Sequence, residues 1–156
     1  MPSPAEVCEA VAAWVATQPE LAAERIGPST WVFALPGERK RALPVRLEVG
    51  ERTLSVEAFF MRAPDEAAEE LYAYLLRRHL RSYVLRFALG HDGDVLIVGV
   101  LPLAAVEGDE LDRLVGQLLT TADDAFTHAL RTGFASYIER EQRWRERSGL
   151  PRNPIT

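Results

Sequence analysis

A single cysteine, Cys8, is all the thiol the 156-residue chain carries. That excludes an intrachain disulfide and gives an oxidising compartment no support. No apolar run approaches the roughly 20 residues that a membrane-spanning helix needs. The opening Met1-Pro2-Ser3-Pro4-Ala5-Glu6 has neither the basic leader nor the apolar core of a signal peptide. The expectation is a cytoplasmic protein without a membrane association. Basic surplus is missing too. The net charge is -5, whereas a nucleic-acid binder draws its affinity from Lys and Arg that neutralise phosphates. Neither a Gly-x-Gly-x-x-Gly nor a Gly-x-x-x-x-Gly-Lys-Ser/Thr loop occurs, so the familiar phosphate cradles are absent.

What is there belongs to a globular chain: 47% of the residues are hydrophobic and 26% charged. Ser3 followed by Glu6 is a capping box with Pro4 at the first helical position. Val7, Val11, Trp14 and Val15 then set one apolar face of a helix that reaches about Thr17. Gly27-Pro28-Ser29 breaks into strands. Thr30–Leu35 is β-branched and aromatic. Leu43, Val45, Leu47 and Val49 alternate with Arg46 and Glu48, the mark of a half-buried antiparallel strand. Leu54, Val56, Ala58 and Phe60 alternate with Thr53, Ser55 and Glu57.

Pro64-Asp65-Glu66 reads as an acidic helix start. Ala68, Leu71, Tyr72, Leu75, Leu76 and His79 form the apolar stripe of that helix. Two strands follow, Val84–Leu89 and Val95–Leu101, joined through His91-Asp92-Gly93-Asp94 with the Asp-Gly signal of a tight hairpin. Leu111, Leu114, Val115, Leu118, Ala122, Ala125, Phe126 and Ala129 keep a helical period, with Gly133 as a cap or kink. A charged helix over 134–147 completes the chain. The expected architecture is one α+β domain over 1–149 with a flexible tail over 150–156. Its elements run α-β-β-β-α-β-β-α, and its sheet has five antiparallel strands.

Reactive groups do not cluster. His79 falls on an apolar stripe, His91 in a hairpin and His128 beside the long helix's core face, without the His-x-x-x-His spacing of a helical metal site. The aspartates at 92 and 94 suit a hairpin tip better than a cation, and Asp123-Asp124 reads as a solvated face. Cys8 has no basic neighbour in sequence to activate it. Arg77, Arg78, Arg81 and Arg86 gather at one helix exit, and Arg140, Arg143, Arg145 and Arg147 on the last helix. Helix-dipole and i,i+4 pairing account for both groups. No catalytic, cofactor or metal site is assigned.

The apolar surfaces say more. The run Phe59-Phe60-Met61 and the uninterrupted Val95–Leu101 segment both ask for cover on two sheet faces. Either the last helix or another molecule must supply it.

Trp31-Val32-Phe33-Ala34-Leu35-Pro36-Gly37, Leu54-Ser55-Val56-Glu57-Ala58-Phe59 and Arg62-Ala63-Pro64-Asp65-Glu66 resemble YbjN-domain proteins of the actinobacterial type. Phe87-Ala88-Leu89, Gly93-Asp94, Val98-Gly99, Leu101–Val106, Glu110-Leu111-Asp112 and Gly133-Phe134-Ala135 fit the same pattern, so the likeness covers about Trp31 to Arg147. It implies a fold similar to type III secretion chaperones, which are small, acidic, cytosolic and usually dimeric. Those chaperones hold extended partner segments on apolar sheet and helix surfaces and dimerise through the second helix and the strands after it. Carried over, Leu71, Tyr72, Tyr74 and Leu75, with the fourth and fifth strands, become dimer candidates. The apolar run itself makes Phe59 and Met61 protein-interaction candidates. YbjN-type proteins are also labelled sensory-transduction regulators, a label without a mechanism, and no catalytic residue transfers from them.

Three functions stay open. The first is a non-enzymatic, homodimeric chaperone-like adaptor for an unknown protein partner. The second is a regulator that takes a small molecule between sheet and helices, recognisable by a closed apolar pocket. The third is an enzyme using His79 or His128 against a carboxylate.

Overall fold

Ser3 and Glu6 satisfy each other's backbone donors in the computed structural model, which describes residues 1–153. The Ser3 N–H donates to Glu6 Oε2 at 2.7 Å, and the Glu6 N–H to Ser3 Oγ at 3.3 Å. That box opens α1 (Pro4–Ala16), whose Val7, Val11 and Trp14 are buried. Trp14 Nε1 donates to Asp112 Oδ1 at 2.8 Å, which ties α1 to the long helix across the core.

The strands are β1 (Glu24–Arg25), β2 (Thr30–Leu35), β3 (Leu43–Val49), β4 (Thr53–Met61), β5 (Arg86–Leu89) and β6 (Val95–Pro102). They form one antiparallel sheet in the order β1-β2-β3-β4-β6-β5. The sheet therefore has six strands, not the expected five. The extra strand, β1, is two exposed residues with no hydrophobic alternation to betray it. Pairing with Trp31 and Val32 makes it a strand, and the Arg25 guanidinium lies 4.7 Å from the Trp31 ring. Gly93, at φ +86°, supplies the left-handed residue of the β5–β6 hairpin that Asp92-Gly93 announced.

The helices after α1 are α2 (Ala68–Arg78), continued by a 3₁₀ turn over His79–Arg81, then α3 (Gly108–Gly133) and α4 (Ala135–Arg147). Leu71 and Leu75 of α2 join Leu111, Leu114, Leu118, Ala122, Ala125 and Ala129 of α3 in one buried cluster. The inward strand residues, among them Leu47, Val56, Phe60 and Ile97, complete it. One face of the sheet is thereby covered by the chain's own helices.

The C-terminal helix is divided at Phe134, whose φ of -136° and ψ of 28° leave the helical region. The Gly133 carbonyl accepts the N–H groups of Asp65 at 2.9 Å and Glu66 at 3.2 Å. A Cβ on Gly133 would stand 2.9 Å from Pro64 Cβ, so the close approach needs glycine. Helix α2 begins at Ala68 rather than at Pro64 because Ala67, at φ 51°, is left-handed and breaks the helical run. Residues 151–153, in the stretch expected to be a loose tail, bond back onto α4. The Asn153 N–H donates to Gln142 Oε1 at 2.9 Å and Arg145 Nη1 to the Pro151 carbonyl at 3.3 Å. Residues 154–156 of that stretch lie outside the described residues.

Candidate interaction surface

Alternation along β4 and β6 sends one set of side chains into the core and the other to an open face. Glu57 stands opposite Val98, Ser55 opposite Val100 and Phe59 opposite Leu96. Leu96 and Val98 are half-buried and Val100 is 43% exposed, while Arg46, Glu48, Ser55 and Glu57 around them are exposed. The continuous apolar sequence of β6 is thus not matched by cover on both sides. Its outward residues get only the lateral shelter of their neighbours on β4 and β5. An Arg46–Glu48 ion pair at 3.1 Å marks the wet side farther along the sheet.

Helix α2 is apolar on two sides. Leu71 and Leu75 point inward and are buried. Tyr72, Leu76 and Leu80, spaced by four, share another side. Leu76 is 63% exposed, Leu80 89%, and Tyr83 in the following connection 68%. The stripe expected from sequence therefore separates into a core half and a solvent half.

The six residues singled out from sequence are distributed accordingly. Met61, Leu71 and Leu75 are buried within the protomer. Phe59 is on the open sheet face at the threshold of exposure, and Tyr72 is half-buried on the outward side of α2. Tyr74 turns toward α3, its ring centroid 4.1 Å from that of His128 and its hydroxyl accepting from Arg78 Nη1 at 3.3 Å. Of the six only Phe59 is exposed, while Tyr72 packs partly against the core at the edge of the exposed side of α2. Leu76, Leu80 and Tyr83, not singled out, carry the larger share of the exposed apolar surface. Their signal was an apolar side chain at i+4 from Tyr72 that the core stripe could not also use.

Between the end of α2, the middle of α3 and the β2–β3 loop opens a cleft of about 1010 Å³. Arg39, Arg77, Arg78 and Arg81 line it, with Thr120, Thr121 and Thr127 of α3 on the opposite wall. Asp123, expected to be a solvated carboxylate, accepts three backbone N–H groups of the loop: Glu38 at 3.0 Å, Arg39 at 3.1 Å and Lys40 at 3.1 Å. Partial burial works to raise its pKa. The three N–H donors, helped by the nearby Arg39 charge, prevail and hold it below the usual carboxylate value.

Lys40, the only lysine in the chain, lies 5.5 Å from the Phe59 ring and 5.3 Å from that of Phe126. Burial there pushes its pKa down. His79 uses Nε2 to accept the Phe87 N–H at 2.8 Å, with its ring stacked on Phe87. A neutral imidazole in that bond carries its proton on Nδ1. Asp92 Oδ1 accepts the Asp94 N–H at 3.1 Å within the hairpin, and Asp94 Oδ1 accepts the Ala63 N–H at 3.0 Å, which ties the hairpin to the segment after β4. Among the described residues no group of three His, Cys, Asp or Glu side chains is placed to hold a metal ion, and no helix is long and apolar enough to cross a membrane.

The chain is similar to known proteins. The YbjN family, described as "Putative bacterial sensory transduction regulator", matches residues 4–131, a span that ends before α4. An uncharacterised protein of Mycobacterium tuberculosis strain H37Rv is 45% identical over 118 residues, which make up 76% of this chain and 64% of that protein. One from Mycobacterium leprae is 40% identical over 124 residues, 80% of this chain and 67% of that protein. The chain thus spans about two thirds of the length of these relatives.

Among solved structures, the Yersinia pestis type III secretion chaperone SycH, in complex with a stable fragment of YscM2, superposes with a TM-score of 0.50 at 20% identity. The match covers 77% of this chain and 97% of that one. The heterodimeric ExoU–SpcU complex from the type III secretion system of Pseudomonas aeruginosa gives 0.53 at 13% identity, over 79% of this chain and 97% of that chain. At those identities the likeness is one of fold.

Proposed function

The chain belongs to the YbjN family, and from that premise we propose that it is a non-enzymatic, chaperone-like adaptor of the cytoplasm. It pairs with a second copy of itself and holds a partner polypeptide on apolar surface. The observation that carries the reading is the exposed apolar surface at the end of α2 and in the turn after it, formed by Leu76, Leu80 and Tyr83, with Tyr72 half-buried at its edge. A surface helix of a monomer needs one apolar stripe. A second one, contiguous and exposed, is the usual mark of an interface. The open sheet face with Phe59, Leu96, Val98 and Val100 offers a separate apolar area for a partner segment. The solved chaperones with this fold are in complexes with proteins, which agrees with such a use.

An adaptor suits the chemistry better than an enzyme does. The surroundings of the two helix-proximal histidines speak to structure: His79 is spent on the Phe87 N–H, and His128 packs against the Tyr74 ring at a tilt of 42°. A regulator with an apolar ligand sealed between sheet and helices finds no support in the cleft, which is open to solvent and lined by polar and apolar groups alike.

The test is light scattering on the full chain with a parallel pulldown, for the wild type and for Leu76→Glu/Leu80→Glu. The expected result is a wild-type dimer that the double variant turns into a folded monomer. A wild type that stays monomeric at high concentration and recovers no partner would overturn the reading.

A further inference from the structure

The chain is acidic overall, yet four of its arginines, Arg39, Arg77, Arg78 and Arg81, line one cleft. Three carboxylates share that cleft: Glu38, Asp123 and Asp124. Asp123 is committed to the backbone of the β2–β3 loop, and Asp124 faces Arg78 at 3.9 Å. Among the described residues, Arg39, Arg77 and Arg81 have no carboxylate within 4 Å. Arg77 and Arg81 thus face one opening without a carboxylate partner, and Arg39, whose charge acts on Asp123 from beyond ion-pair distance, adds a third guanidinium from a separate segment.

Helix-dipole stabilisation accounts for Arg77 and Arg81, which sit in and just after the last turn of α2. It does not account for Arg39. That residue comes from another element, and the contacts of its loop with Asp123 hold its backbone beside the cleft. The opposite wall is a row of hydroxyl and amide groups, Gln117, Thr120, Thr121 and Thr127, on one side of α3. Tyr74, Leu80, Tyr83 and Phe87 add apolar wall to the same cleft, so the lining suits a ligand with both an anionic and an apolar part, and the volume of about 1010 Å³ accommodates one of metabolite size.

We propose that this cleft binds a small molecule bearing two or more phosphate groups, with Arg39, Arg77 and Arg81 as its anion-binding residues. The guanidinium fork gives each of them paired donors for phosphate oxygens. The threonine hydroxyls and Gln117 supply neutral hydrogen bonds to the rest of the ligand. Leu80 and Tyr83 of the proposed dimer surface also border this cleft, so the titration is run on the wild type and on Leu76→Glu alike, which separates failure of this site from failure of the dimer reading.

The experiment is isothermal titration calorimetry on the full chain, with inorganic pyrophosphate and ADP as separate probes. One saturable site per chain is expected. Arg77→Gln, Arg81→Gln and Arg39→Gln each weaken it by about tenfold or more, as loss of a charge-assisted contact does. Arg147→Gln, on the exposed side of α4, leaves it unchanged. Tighter binding of ADP than of pyrophosphate would place the nucleoside against the protein. Equal binding would assign recognition to the phosphates alone. The proposal is overturned if neither probe saturates at millimolar concentration, or if Arg147→Gln weakens binding as much as the cleft variants. All four arginines tested are exposed, and a circular dichroism spectrum of each variant checks that the fold is intact.

Discussion

Asp123 Oδ1 accepts the backbone N–H of Lys40 at 3.1 Å, and with the neighbouring Glu38 and Arg39 donors this makes one carboxylate on α3 the anchor of the β2–β3 loop. Replacing Asp123 by alanine removes three charge-assisted contacts at once. The loop is partly solvated, so water replaces some of what is lost, and the expected cost is about 1–2 kcal/mol in urea unfolding. The pH dependence has a definite sign. A carboxylate held low in the folded state contributes stability above its unfolded pKa of about 3.9, and that contribution drains away as pH falls through the lower folded value. The gap between wild type and Asp123→Asn is therefore expected to be full at pH 6 and to shrink below about pH 4. An unfolding series across that range checks it, and a gap that widens in acid contradicts the assignment.

A second long-range tie joins Glu66, ahead of α2, to the first turn of α4. Glu66 Oε1 accepts the Ser136 N–H at 2.7 Å and Oε2 the Ser136 hydroxyl at 3.1 Å. The terminus thus takes its cap from a residue 70 positions away, since Phe134 has no side chain able to cap it. Glu66→Ala is expected to cost about 1 kcal/mol, the usual worth of a lost cap. Amide hydrogen exchange would rise in the first turn of α4 more than in α3. Combined with Ser136→Ala, the loss should be smaller than the sum of the two single losses, because both remove the same contact.

These ties mark where sequence stopped being informative. The alternation of Leu43, Val45, Leu47 and Val49 against Pro44, Arg46 and Glu48 is visible in the chain and reappears residue for residue in the burial of β3. The Asp92-Gly93 turn and the Ser3–Glu6 box were legible for the same reason, since their chemistry is local. Glu66, Asp123 and Gly133 act on residues far along the chain. In sequence the first two look like an ordinary helix start and a solvated pair, and the third only like a kink. The apolar runs failed differently. Phe59–Met61 and Val95–Leu101 suggested cover on both faces, but hydrophobicity alone does not say whether the cover comes from the same chain. In sequence the outward half of α2 is masked by a richer inward half, because Leu76 falls in the same apolar stripe as Leu71 and Leu75.

The two faces of β6 make a direct test of which apolar residues hold the protomer together. Ile97 is fully buried on the helix-covered face, whereas Val100, three positions on, points to the open face at 43% exposure. Ile97→Ala removes buried carbon and leaves a cavity, at an expected cost of about 2–5 kcal/mol. Val100→Lys can extend its ammonium into water along the sheet, and should change stability by no more than about 0.5 kcal/mol. Urea unfolding of the two variants separates the faces. If Val100→Lys proved as damaging as Ile97→Ala, the outward face would be covered within the protomer and closed to a partner. If it is neutral for folding but abolishes capture of a partner polypeptide, the open face is where that polypeptide lies. The apolar character of Leu96, Val98 and Val100 is then explained by binding rather than by the fold.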